Sequence, residues 1–169
     1  MKKIIFLIAL VTAFAFANNV MYVADASADL GATEVELLLN LDNSDEAGGV
    51  QLDIYDGPDV LDYLSISTTD RTAGFTAAAN AIADGGVRVL LFSMTGDIIA
   101  AGTGPIVAIN FGINTSEAME VQLTQQDATL SDPIGQALPL TTEVGTLTIG
   151  TVVDDYLSLT IGDGAGDAG

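Results

Sequence analysis

Apolar and polar residues alternate along much of this chain with the two-residue period of half-buried strands. Val35, Leu37, Leu39 and Leu41 alternate with Glu36, Leu38 and Asn40. Val50, Leu52 and Ile54 alternate with Gln51, Asp53 and Tyr55, so one set faces a core and the other faces out. The same reading predicts strands over 20–26, 60–68, 87–94, 105–113, 120–124 and 144–149. Gly-rich and Asx-rich connections such as DLGAT, NSDEAGG and DGP separate them. The alanines of 72–86 (TAGFTAAANAIADGG) favour a short helix or an irregular loop. Many short strands between turns predict an all-β domain, a sandwich or jelly roll.

Two end segments depart from this pattern. Residues 1–17, MKKIIFLIALVTAFAFA, have the three parts of a secretion signal: Lys2 and Lys3, an apolar run over 4–14, and small residues at Ala15 and Ala17. The apolar run is short for a membrane span, which takes about 20 residues. Cleavage is therefore expected after Ala17; cleavage after Ala28 also fits the small-residue rule but would remove the first strand. The domain is expected over 18–150. Residues 151–161 (TVVDDYLSLTI) read as an extra strand or linker, and GDGAGDAG as a flexible acidic tail. Asp163, Ala165 and Asp167 mimic the start of an EF-hand-type loop, but Ala165 supplies no ligand and no twelfth-position Glu follows.

Composition then narrows the chemistry. The chain has no Cys, no His and no Trp, which removes Ser-His-Asp and Cys-His catalysis and the usual zinc sites. No GxSxG, P-loop or dinucleotide fingerprint is present. Residue type leaves a two-carboxylate glycosidase open, yet most of the acids fall in turns or on outward strand positions, so no catalytic residue is assigned and the chain is read as a non-enzyme. Net charge is −19, and loss of Lys2 and Lys3 makes it −21, with Arg71 and Arg88 the remaining cationic side chains. Such a surface repels nucleic acid and anionic lipid. Asp42, Asn43, Asp45 and Glu46 in one turn offer hard oxygens, so calcium is the one metal worth considering; a solvated Asx turn explains them as well, and no cofactor is assigned. Asn114-Thr115-Ser116 matches a glycosylation sequon.

Several stretches, taken in order, resemble a cohesin: VMYVADASADLGATEVELLLNL, GGVQLDIYDGPDVLDYLSI, GVRVLLFSM, GTGPIVAINFGI and GTLTIG. Here Gly57 stands between Asp56 and Pro58, a departure from that family's Tyr-Asp-Pro-like turn. The resemblance covers about residues 20–150 and implies a nine-stranded jelly-roll β-sandwich whose role is to bind dockerin modules through one sheet face. Alignment on Pro58 puts Gln51, Asp53 and Tyr55 on that face, with Val89, Leu91 and Ser93 from the next strand and Ile106, Ala108 and Asn110 from a later one. Partner contacts are accordingly expected at Gln51, Asp53, Tyr55, Val89, Leu91, Ser93, Ala108 and Asn110, with Leu91→Asp abolishing binding but not folding. The same register turns Arg88 inward, at a cost unless it is paired.

The expected function is that of a secreted or cell-surface, non-catalytic protein-binding module with a dockerin-like partner. A second reading is a structural subunit of a fibre, sheath or surface layer, assembling by strand pairing through 151–161 or 20–26. A third, carbohydrate binding, is disfavoured by the absence of Trp and the dispersal of Tyr55, Tyr63 and Tyr156.

Overall fold

A computed structural model describes residues 19–150; the expected signal (1–17) and the expected strand or linker and tail (151–169) lie outside the described residues. Twelve strands run in chain order: β1 (Val20–Val23), β2 (Ala26–Ala28), β3 (Glu34–Asp42), β4 (Gly49–Gly57), β5 (Leu61–Thr68), β6 (Thr76–Ala81), β7 (Val87–Phe92), β8 (Pro105–Ile113), β9 (Met119–Ser131), β10 (Ala137–Leu138), β11 (Thr141–Glu143) and β12 (Gly145–Ile149). A 3-10 turn, Asp70–Thr72, joins β5 to β6. Nine of the strands have four residues or more, as the jelly-roll expectation requires; β2, β10 and β11 are short additions.

The strands form two sheets. One has the order β11-β1-β3-β8-β5; the other has the order β2-β12-β9-β4-β7-β6, with β10 pairing β9. Period-two alternation sends one face of each sheet into a shared core. Leu37, Leu39, Val107 and Ile109 enter it from the first sheet; Val50, Leu52, Ile54, Val89, Leu91, Val121 and Leu123 enter from the second. The first and last segments each cross between sheets. β1 lies parallel to β11, and β2 lies parallel to β12. Where they cross, a Cβ at Gly145 would sit on the Val23 carbonyl oxygen, so only glycine lets the two backbones pass. The Thr146 N–H donates to Asp25 Oδ1 at 2.8 Å at the same crossing.

Three expectations change. The segment expected to be helical or irregular contains β6, which pairs along β7 from Thr76 opposite Phe92 to Ala81 opposite Val87. Ala77 and Ala79 pack against the core there, so tertiary burial overrides alanine's helical preference. The strand expected over 120–124 continues to Ser131 through an irregularity opposite Gln51 and Asp53, where Asp127 takes a φ of +48°. The strand expected over 20–26 is split: β1 has both edges occupied, by β11 and β3, whereas β2, which begins at Ala26, ends its sheet and pairs on one side with β12.

Candidate functional site

The outer face of the β12-β9-β4-β7-β6 layer is where the expected partner contacts on β4 fall. Cross-strand register assigns its members. Gln51 stands between Leu90 and Thr129, and Asp53 between Arg88 and Gln126. Beyond β7, Phe92, Leu90 and Arg88 meet Thr76, Ala78 and Asn80 of β6.

The β7 register expected from the sequence is therefore shifted by one. Val89 and Leu91 are each 0 % exposed and belong to the core, whereas Arg88 and Leu90 are exposed, Leu90 at 39 %. The physical reason is the cross-strand pair. Arg88 donates to Asp53 through Nε at 2.7 Å and Nη2 at 2.6 Å, a two-pronged contact with a carboxylate only 3 % exposed. An inward Arg88 would have no such partner. Ser93 lies just past β7, where its hydroxyl donates to Asp97 and accepts from the Thr95 and Asp97 N–H groups. Ala108 and Asn110 are on β8, in the other sheet, where Asn110 Nδ2 donates to Ser65 Oγ at 3.3 Å. The eight expected contact residues thus do not form one surface: Gln51, Asp53 and Tyr55 share a face, Val89 and Leu91 lie beneath it, and Ala108 and Asn110 occupy the opposite sheet. Arg88, Leu90, Phe92, Thr129 and Ser131 complete the face instead. The sequence signal for them was the parity of Arg88, the one charged residue in an apolar strand.

Few charges stand on this face. Among the described residues, the charges pointing outward from its strands are the paired Asp53 and Arg88, Asp127 at the irregularity and Glu120 beside β12. The Arg88 guanidinium, as hydrogen-bond donor and neighbouring charge, holds the Asp53 carboxyl below its ordinary value, although burial opposes it. Tyr55 lies half-buried with its ring against Gly86, where a Cβ would fall 2.6 Å from a ring carbon.

At one end of the face is a depression of about 260 Å³ lined by Gly49, Gln51, Leu90, Phe92, Thr129 and Ser131, among others. Register explains it. Gly49 stands between Phe92 on β7 and Ser131 on β9, so the missing side chain leaves a gap between two filled rows. A Cβ at Gly49 would lie 3.2 Å from Ser131 Oγ.

The acidic turn considered for calcium contains an internal cation. Arg71 Nη1 donates to the carbonyls of Leu41 at 2.6 Å and Gly104 at 2.9 Å; Nη2 donates to Asn43 Oδ1 at 2.7 Å and to the Ala100 carbonyl at 3.0 Å. Asn43 Nδ2 in turn donates to the carbonyls of Asp45 and Ala100. The guanidinium thus takes up Asn43 Oδ1, one of the side-chain oxygens considered for calcium. Among the described residues, no three Asp, Glu, His or Cys side chains converge on a common point. The sequon asparagine, Asn114, donates through Nδ2 to Asp62 Oδ2.

The whole is an all-β jelly roll with one broad sheet face of low net charge. No family model and no curated protein matches the sequence. Solved structures do match. A non-cellulosomal cohesin from the hyperthermophilic archaeon Archaeoglobus fulgidus aligns with a TM-score of 0.66 at 18 % identity, over 80 % of this chain and 93 % of that one. A cohesin from Clostridium acetobutylicum aligns at 0.64 and 15 % identity, over 79 % and 91 %. A chain of a type I cohesin–dockerin complex from Clostridium thermocellum aligns at 0.63 and 16 %, over 82 % and 96 %. The chain has a cohesin-like fold. No helix among the described residues is long and apolar enough to cross a membrane.

Proposed function

We propose that this chain is a secreted, non-catalytic protein-binding module that receives a dockerin-type partner on the outer face of the β12-β9-β4-β7-β6 layer. The observation that carries the reading is the contrast on that face. In a chain of net charge −19, Leu90 and Phe92 lie beside a closed Asp53–Arg88 pair and are bordered by Thr, Gln, Ser and Asn side chains. An apolar centre with a hydrogen-bonding rim is the anatomy of a protein-docking patch. The cohesin–dockerin complex among the structural neighbours supports a partner of that kind, and the three-part segment at 1–17 supports export.

Docking would bury Leu90 and Phe92, with Gln51, Thr129 and Asn80 setting register by hydrogen bonds. Calorimetric titration with a panel of purified type I dockerin modules tests this. Saturable one-to-one binding that Leu90→Asp removes, with the melting transition retained, is the expected result. Binding by no module in the panel, or binding that Leu90→Asp leaves intact, would overturn the proposal.

A further inference from the structure

We infer that the depression over Gly49 is a socket for a single aliphatic side chain of the partner, presented from a segment that carries Lys or Arg around it. This rests on the docking face proposed above and adds to it the chemistry of the occupant. Four observations lead there. First, the depression follows from a missing side chain in an otherwise filled row: Gly49 between Phe92 and Ser131. Second, its volume of about 260 Å³ falls below the roughly 300–1,000 Å³ typical of small-molecule sites. It suits an anchor side chain of the kind that dominates protein interfaces. Third, one side of it is apolar, opposite Thr129 and Ser131. Leu90 and Phe92 form one wall, and Met94 (82 % exposed) and Ile134 (79 %) stand in the connections that leave β7 and β9 at the same end.

Fourth, acids predominate at that end. Glu46 precedes β4, Asp97 follows β7 and Asp132 follows β9. Asp132 Oδ1 accepts from the N–H groups of Ile134 and Gln136, and Asp97 accepts from Thr95 and Ser93. The cation in the connections at that end among the described residues, Arg71, is committed to Leu41, Asn43, Ala100 and Gly104. A bare aliphatic anchor would gain only the socket. One flanked by cations also gains complementarity to the acidic rim, which speeds association and makes it salt-dependent.

The probe is a phage-displayed helical scaffold randomised on one face and panned against the full chain. Enriched clones are expected to carry Leu, Ile or Met close to Lys or Arg, and to bind more slowly as salt is raised. Gly49→Ala and Ser131→Leu, two independent ways of filling the socket, should each weaken those clones about tenfold or more, with melting curves recorded on both variants. Thr124→Arg, on the same face opposite Tyr55, and Leu90→Asp separate the two levels of the reading. If Leu90→Asp or Thr124→Arg weakens binding while both filling variants bind as wild type, the face stands and the socket falls. If none of the four variants weakens binding, or no clone is enriched, both fall. Enriched clones with acidic or wholly polar contact residues overturn the socket. So does concentration-dependent self-association that Gly49→Ala abolishes, since the occupant would then be a second copy.

Discussion

Leu90 and Leu91 are chemically identical neighbours on opposite faces of one strand, and truncating each in turn measures the register of β7. Leu91 is 0 % exposed, opposite Val50 on one side and Ala77 on the other. Its truncation to Ala removes buried methyl groups and leaves a cavity between close-packed sheets, a change worth about 2–5 kcal/mol. For a domain of this size about 1 kcal/mol moves the melting temperature by some 3–5 °C, so Leu91→Ala should melt roughly 6–25 °C lower. Leu90, 39 % exposed, forfeits only part of a leucine's burial, about 1 kcal/mol. The stronger pair of substitutions sharpens the contrast. Leu91→Asp buries an unpaired carboxylate at a cost comparable with the whole stability of a domain, about 5–15 kcal/mol, and should not fold. Leu90→Asp should fold and lose partner binding. Circular dichroism melts of the four variants decide the matter. Equal melting temperatures for Leu90→Ala and Leu91→Ala, or a folded Leu91→Asp, would refute the register and with it the docking face.

Arg71→Met should destabilise the fold by about 1–3 kcal/mol, because it removes a charged donor from the carbonyls of Leu41, Gly104 and Ala100 and from Asn43 Oδ1, although Gly104 keeps the Leu41 N–H and Ala100 keeps Asn43 Nδ2; thermal melts check this, and a variant that melts with the wild type would refute the role given to the guanidinium. Gly145→Ala should cost more than Leu91→Ala, since the added Cβ meets backbone at Val23 rather than a side chain that can turn away; a soluble variant with a near-native melt would contradict the sheet crossing. The pH response separates two carboxyls. Asp53 is held low by Arg88, so its contribution is whole above the ordinary carboxyl value near 3.9 and fades as the pH falls below it towards the depressed value. Asp56 is pushed up by burial, against the N–H groups of Val60 and Leu61 that hydrogen-bond its carboxylate, so protonating it as the pH falls through the raised value relieves a cost. In urea titrations across pH, the stability gap between wild type and Arg88→Met should narrow in acid, and Asp56→Asn should flatten the less acidic limb; a gap that stays constant with pH would count against the Asp53–Arg88 pairing.

The sequence revealed the fold more fully than the face, and β7 shows why. Strands such as β3 and β4 bury one side and wet the other, so alternation alone places their residues: Val50, Leu52 and Ile54 in, Gln51 and Asp53 towards the outer face. In VRVLLF, apolar residues occupy both faces, and period two cannot decide between Leu90 and Leu91. Arg88 could decide it, but only by knowing that Asp53 lies opposite, which is a fact about pairing rather than about either segment. β8 poses the same problem at the level of sheets. PIVAINFGI is buried almost throughout, and nothing local says that its neighbours are β3 and β5 rather than β7. β6 was hidden by composition, because TAAANA favours helix in isolation and becomes a strand when β7 offers it an edge and a core. The far half of β9 was hidden by the polar run Gln125-Gln126-Asp127, where an irregular residue interrupts the alternation without ending the strand.

The two arginines explain how so acidic a chain can hold a face of low charge. Nineteen units of net negative charge favour solubility and oppose compaction, so any cation placed on the fold is worth most where it closes a cost already incurred. Arg71 does so by satisfying the oxygens of a loop junction. Arg88 does so by neutralising the one carboxylate, Asp53, that the register buries in the middle of the outer sheet face. With that pair closed, Leu90 and Phe92 sit in surroundings that present little net charge to an incoming surface, while the connections bearing Glu46, Asp97 and Asp132 keep their charge. Attraction of a basic partner then comes from the rim, and its retention from the apolar centre. Arg88→Met should therefore weaken docking even though Met is no less apolar: it would leave Asp53 unpaired beneath the partner, where desolvating a lone carboxylate opposes binding.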